Sequence, residues 1–153
     1  MTTRLILAVL HLLALGVGMG AVFARARGLR KPLDADGVRR VLRADAWWGL
    51  AGFLWISTGL ARLFMGTEKD TSYYFHNHLF LGKMALLAVL LVLEVIAVIA
   101  LVKWRKSVAG GAAPDTSTAN RLAIISDVQL LLVLLMVGLA VAMARGLGVM
   151  AGG

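Results

Sequence analysis

The chain has 153 residues, 60% of them hydrophobic, and a net charge of +8. A mean hydropathy of +0.86 is too apolar for an ordinary soluble domain, and the lack of cysteine excludes disulfides, thiol catalysis and cysteine-based metal sites. The basic charge comes with no nucleic-acid-binding motif, so no nucleic-acid partner is expected. Most Lys and Arg fall in two segments between apolar runs, the pattern of a membrane protein that keeps its cations on one face and attracts anionic lipid.

A hydrocarbon core needs about 20 apolar residues per helix. Leu5 to Ala24 qualifies, interrupted only by His11. It exceeds a signal-peptide core of roughly 7–15 residues and is expected to be a retained helix. The segment 25–45 then holds Arg25, Arg27, Arg30, Lys31, Arg39, Arg40 and Arg43, with Asp34 or Asp36 placed to cap a short helix through Val38 to Arg43. Ala46 to Met65 is the second run and carries Arg62. After a connection with one cation, Lys69, the third run is Leu79 to Val102, with Lys83 and Glu94. The segment 103–121 holds Lys103, Arg105, Lys106 and Arg121 and includes a Gly/Ala/Ser/Thr-rich stretch expected to be mobile. The fourth run, Leu122 to Ala144, carries Asp127 and Gln129. The sequence therefore predicts one all-α domain over 1–153, a four-helix membrane bundle, because lipid offers unpaired backbone groups no partner. The charge asymmetry puts loops 25–45 and 103–121 in the cytoplasm and both termini outside.

Residues at alternating spacings of three and four share a helix face. This gives stripes Arg4-Ala8-His11-Leu15-Gly18, Trp48-Gly52-Trp55-Gly59-Arg62, Phe80-Lys83-Leu87-Leu90-Glu94 and Ile124-Asp127-Leu131-Leu134-Gly138-Val141. Ionisable groups avoid lipid, so all four stripes are expected to face the interior. Gly16 and Gly20 form a GxxxG, and Gly49, Gly52 and Gly59 thin the second helix, which suits close packing.

By helix rise, His11 lies roughly 9 Å below the outer end of its span, Lys83 about 6 Å and Arg62 about 5 Å. The outer half thus collects His11, Arg62 and Lys83, with His76, His78, Tyr73, Tyr74 and Asn77 on the adjoining linker. Arg62 and Lys83 are shallow enough to snorkel into headgroups or to share a pocket with His11. A buried His11 is satisfied by a carbonyl or hydroxyl of a neighbouring helix, or it ligates a cofactor, moves a proton or pairs with a carboxyl group. Trp55 sits deep enough to line a ligand pocket or simply to pack, whereas Trp47, Trp48 and Trp104 read as interfacial belt residues. His76 and His78 are poorly spaced for one metal on a helix. In the inner half, Glu94 is protonated or paired with Arg or Lys of another chain, and Asp127 can reach Arg39, Arg40, Arg43 or Arg121. These two acids serve as a proton relay or as salt bridges.

The motifs Thr58-Gly59-Leu60-Ala61-Arg62-Leu63-Phe64, Tyr73-Tyr74-Phe75-His76-Asn77-His78, Phe80-Leu81-Gly82-Lys83-Met84-Ala85-Leu86 and Met143-Ala144-Arg145-Gly146 span nearly the whole chain. They resemble a family of small bacterial membrane proteins catalogued as domain of unknown function 2214, which implies a fold and a bacterial inner-membrane location but no activity. Leu10-His11-Leu12-Leu13 and Gly82-Lys83-Met84-Ala85-Leu86-Leu87 are more distantly similar to the HemJ-type protoporphyrinogen oxidases. That similarity implies a membrane oxidoreductase with haem b, in which His11 and Lys83 match the family's essential His and Lys and His11 is the iron ligand. This chain departs from that pattern in having Arg62, the Tyr/His linker and Glu94.

The resulting expectation is a haem, tetrapyrrole or similar amphipathic ligand in the outer half, held by His11, Lys83, Arg62, Trp55, Tyr74, His76 and His78. Two alternatives stand beside it. One is a small-anion or proton-coupled transporter working as a homo-oligomer. The other is an accessory subunit that docks a partner membrane protein through its glycine faces.

Overall fold

The computed structural model describes residues 2–65 and 76–148. Among these, four helices follow one another: α1 Thr2–Gly28, α2 Ala35–Phe64, α3 His78–Ala109 and α4 Ala119–Ala144. Each outlasts the apolar run that nucleates it. The segment 25–45, expected as a loop, is mostly helical: α1 continues through Arg25 to Gly28, and α2 starts ten residues before Asp45. Similarly, α3 runs on to Ala109, well past Val102. The chain carries helix-forming Arg, Lys, Ala and Leu through these polar stretches, and nothing stops the helix until a breaker arrives.

Those breakers are explicit. Pro32 lies in the short turn after α1, and Asp34 then caps α2 by accepting a hydrogen bond of 2.7 Å from the Gly37 N–H. Asn77 caps α3 in the same way through Leu79 N–H at 2.9 Å. Gly110 and Gly111 end α3, the latter with φ +75°.

The helices run up and down. α1 packs closely along α2 on one side and α4 on the other, and α3 packs against α4. The ring order is thus α2–α1–α4–α3. Backbones of α2 and α3 do not approach closely; their inner ends meet through long side chains, with Val38 and Val41 of α2 joining Leu101 and Trp104 of α3 in one apolar cluster. Two smaller clusters follow outward, around Val22, Trp48, Leu90 and Val133, then around Ala14, Trp55 and Met136.

The outside of the molecule is as apolar as the inside. Leu12, Leu13, Phe53, Val92, Val95 and Leu131 all lie exposed. A soluble monomer does not tolerate such a continuous apolar surface, whereas lipid solvates it. α1, α3 and α4 are long and apolar enough to cross a membrane. α2 falls below that measure, its apolar residues diluted by tryptophans, glycines, Ser57, Thr58 and Arg62.

The stripes of α1, α2 and α3 do turn inward, with Gly18, Trp48, Trp55, Phe80 and Leu90 buried. The stripe predicted for α4 does not. Ile124, Asp127, Leu131, Leu134, Gly138 and Val141 are all exposed, and the buried face carries Leu122, Ser126, Gln129, Val133 and Met136 instead. α4 is apolar all round, so Asp127 was the only strong marker of its inner face, and Asp127 faces out. Gly16 and Gly20 also face outward, with nothing near enough to touch an added Cβ. Within the chain, the close approach of α1 and α2 uses Gly18 and Gly59 instead.

Candidate functional site

Two polar centres sit in the helix interior, one at each end. The one nearer the chain termini, expected to be the outer one, is a cavity of about 440 Å³. His11 of α1, Trp55, Gly59 and Arg62 of α2, and Phe80 and Lys83 of α3 line it. Met136, Val137, Ala140 and Met143 of α4 close the apolar side. It forms where α2 and α3 stand apart, and helical spacing delivers Trp55, Gly59 and Arg62 to one face of α2.

His11 is held in a defined state. Its Nδ1 lies 3.0 Å from the Thr58 hydroxyl. That hydroxyl has one proton, which it donates to a backbone carbonyl, Leu54 O at 2.7 Å with Trp55 O at 3.1 Å as the alternative. The shared bond therefore takes its proton from His11, whose Nδ1 carries hydrogen. The imidazole stacks on Trp55, with ring centroids 5.8 Å apart. Gly59 makes room for it, since a Cβ there would stand 3.2 Å from His11 Cε1.

Trp55 is 7% exposed. Its indole Nε1–H is the one buried side-chain donor or acceptor among the described residues that lacks a hydrogen-bond partner. Leaving this donor buried and unsatisfied costs about 1–3 kcal/mol. Two cationic side chains, Arg62 and Lys83, share the same wall. The cavity thus offers donors and positive charge at one end, a basic nitrogen at its side and an apolar floor.

Four of the predicted site residues, His11, Trp55, Arg62 and Lys83, meet here. His76 and His78 are exposed beside the buried Asn77 and do not line the cavity. Tyr74 lies outside the described residues. Asn77 clasps the C-terminal turn instead: its Nδ2 donates to Leu147 O at 3.0 Å, and the neighbouring His78 N–H donates to Gly148 O at 2.9 Å. Gly148, at φ +85°, is needed there, since a Cβ would come within 2.5 Å of Leu79. Among the described residues no group of three or more His, Asp and Glu is arranged to hold a metal ion.

The inner centre is a buried charge network to which every helix contributes. Arg25, placed in a loop by its position past the first apolar run, is 0% exposed at its centre. Its Nε donates to Ser126 at 3.0 Å, one terminal nitrogen to Asp45 at 2.7 Å, and the other to Gln129 at 2.5 Å, while both approach Glu94 at 3.3–3.4 Å. All five guanidinium N–H groups are engaged. Glu94 Oε2 also accepts from Trp48 Nε1 at 2.8 Å and Gln129 Nε2 at 2.9 Å. Asp45 receives a second cation, Arg105. Two arginines and two carboxylates give a formally neutral cluster, which lets charge persist at this depth.

This corrects three expectations. Glu94 pairs with Arg25 of its own chain, not with another subunit. Asp127 forms an exposed ion pair with Arg30, not with Arg39, Arg40, Arg43 or Arg121. Trp48, read as a belt residue, is buried in the network. Sequence reasoning missed Arg25, Asp45, Ser126 and Gln129 as one unit. The available signal was the depth match between Arg25 near the end of α1 and Glu94 and Gln129 in the inner halves of α3 and α4.

Outward apolar faces around a polar interior, on helices long enough to cross a bilayer, define an α-helical membrane protein. The chain belongs to the family described as predicted membrane protein, domain of unknown function 2214, whose model matches residues 3–148. Neither a curated protein nor a solved structure matches it.

Proposed function

We propose that this protein binds an amphipathic anion in the outer cavity, with haem b or another tetrapyrrole as the first ligand class. The observation that carries the reading is a cavity whose wall joins two cations, Arg62 and Lys83, with His11 and Trp55, opposite the apolar residues of α4. An acidic group meets the two cations, and the apolar body lies against Trp55, Phe80, Met136 and Met143. The donor set suits a tetrapyrrole: imidazole is a ligand type for iron, the His11 Nδ1–H is anchored on Thr58 as second-shell partners of ligating imidazoles are, and Arg62 with Lys83 suit propionates. A bound haem supplies one-electron redox chemistry. The chain's own part is to fix the imidazole tautomer, neutralise the acid and keep water from the apolar floor. In a membrane oxidoreductase, His11 and Lys83 are then the residues closest to the chemistry.

The same reading makes α2 a fourth span, as it runs beside α1 and exposes Phe53, Leu54, Leu60 and Phe64 to lipid. The Arg-rich end faces the cytoplasm of a bacterial inner membrane and both termini face outward. A transporter or a docking subunit of a larger assembly is the second class of reading. It has less support, because both Glu94 and Asp127 are engaged in ion pairs within the chain.

The test is an absorption and mass spectrum of gently purified protein, followed by titration with haem and protoporphyrin while tryptophan fluorescence is read. A co-purifying or saturable tetrapyrrole, weakened in Arg62→Gln/Lys83→Gln and spectrally altered in His11→Ala, is expected. No uptake of either compound, with quenching identical in wild type and the double variant, overturns the tetrapyrrole reading.

A further inference from the structure

A second concavity, of about 330 Å³, lies on the lipid-facing side of α1 and α2, toward the Arg-rich end of the molecule. Its floor is Val17, Ala21 and Ala24 on α1, and its rim is Arg40, Arg43 and Trp47 on α2. Small side chains on α1, one helical turn apart, leave a trough along the helix; Trp47 walls it, and the two arginines stand at its polar end. Trp47 and Arg43 are exposed. Arg43 forms no ion pair among the described residues, whereas Arg25, Arg30, Arg39 and Arg105 each have an acid. Arg40 has only the distant charge of Asp36, which Arg39 already engages.

We propose that this groove is a binding site for one anionic phospholipid, its phosphate on Arg40 and Arg43 and an acyl chain along Val17, Ala21 and Ala24. Charge complementarity selects the headgroup. The groove lies at the end of the molecule where Arg27, Arg30, Lys31 and Arg39 also gather, so the local potential favours an anion. The trough selects a chain, because a lipid-facing cavity beside a tryptophan is filled by hydrocarbon. A soluble anion has no use for the apolar floor, and an uncharged lipid none for the arginines. The site rests on the membrane placement of α1 and is independent of the outer cavity.

Native mass spectrometry of the purified protein, in detergent with added phosphatidylglycerol or phosphatidylcholine, reads it directly. Retention of phosphatidylglycerol over phosphatidylcholine is expected. Arg40→Gln/Arg43→Gln should weaken phosphatidylglycerol binding roughly thirtyfold, the factor for two headgroup-level cations. Ala24→Trp, which fills the trough and leaves both charges, should weaken it as well. Arg121→Gln, on α4, should leave it unchanged, and circular dichroism confirms that each variant is folded. Equal retention of the two lipids, or phosphatidylglycerol binding that survives the double arginine variant, overturns the proposal. Loss in the arginine variant with none in Ala24→Trp also overturns it, since that outcome is surface charge attraction without a groove.

Discussion

Replacing Arg25 by Met tests whether the inner network holds the helices together. Met keeps much of the aliphatic volume and removes every donor. Asp45 then retains Arg105, and Glu94 retains Trp48 and Gln129, but the cation between them is gone. Of the five interhelical hydrogen bonds lost, the three shortest, to Ser126, Asp45 and Gln129, are worth roughly 2 kcal/mol at the average of about 0.6 each seen in membranes. The uncompensated carboxylates add to this, since removing one partner of a buried pair costs about 3–5 kcal/mol. Arg25→Met should therefore destabilise the protein by at least about 3 kcal/mol, on the order of a 150-fold shift in the unfolding equilibrium. Neutralising Glu94 in that background removes part of the penalty, so Arg25→Met/Glu94→Gln should be less unstable than the sum of the single variants by about 1–2 kcal/mol. Reversible unfolding in mixed micelles, followed by circular dichroism, measures all four corners of this cycle. If Arg25→Met unfolds within about 0.5 kcal/mol of wild type, the range of an ordinary surface change, or if the two substitutions simply add, the network is not what joins these helices.

Other predictions concern the outer end and the helix termini. Thr58→Val removes the acceptor of the His11 Nδ1–H and should weaken ligand binding about 10- to 100-fold while leaving helix content intact, as read by titration. Gly59→Ala sets a methyl group against the His11 ring, which must shift by a few tenths of an ångström, and should change the imidazole signal in NMR, while the gain of about 1 kcal/mol in helix propensity offsets the crowding. Asn77→Ala removes the α3 cap and the clasp on the C-terminal turn. It should lose about 1–2 kcal/mol and release the turn to proteolysis, whereas unchanged protease sensitivity would show that the clasp is dispensable. The Asp36 carboxyl titrates below the usual carboxylate range because Arg39 hydrogen-bonds it and adds its charge. A depressed folded value means that its small stabilising effect is complete above the ordinary carboxylate range and fades as pH falls through the lowered one. NMR titration should find that midpoint, and Asp36→Asn should abolish the step.

How far sequence reaches here depends on what kind of signal each residue leaves. Hydropathy places the apolar runs because about 20 consecutive apolar residues have few other uses. The inward faces of α1, α2 and α3 are legible because a polar residue recurs on each at helical spacing, so His11, Trp55, Arg62 and Lys83 converge as the pattern implies. α4 carries two polar candidates two residues apart, Asp127 and Gln129, which point in different directions. The charged one looks like the better interior marker, yet Arg30 at the end of α1 draws it outward, and Gln129 turns in because its amide serves Arg25 and Glu94 at once. Arg25 follows the same logic. On its own, an arginine just past an apolar run belongs in headgroups; it is buried only because Asp45, Glu94, Ser126 and Gln129 arrive at its depth from three other helices. The sequence by itself determines the helices, their apolar spans and the basic residues of the outer cavity, since these depend on local composition and period. The tertiary structure decides which charges are buried, which face α4 presents and where Trp55 is left without a partner, since each depends on groups far apart in the chain meeting at one depth.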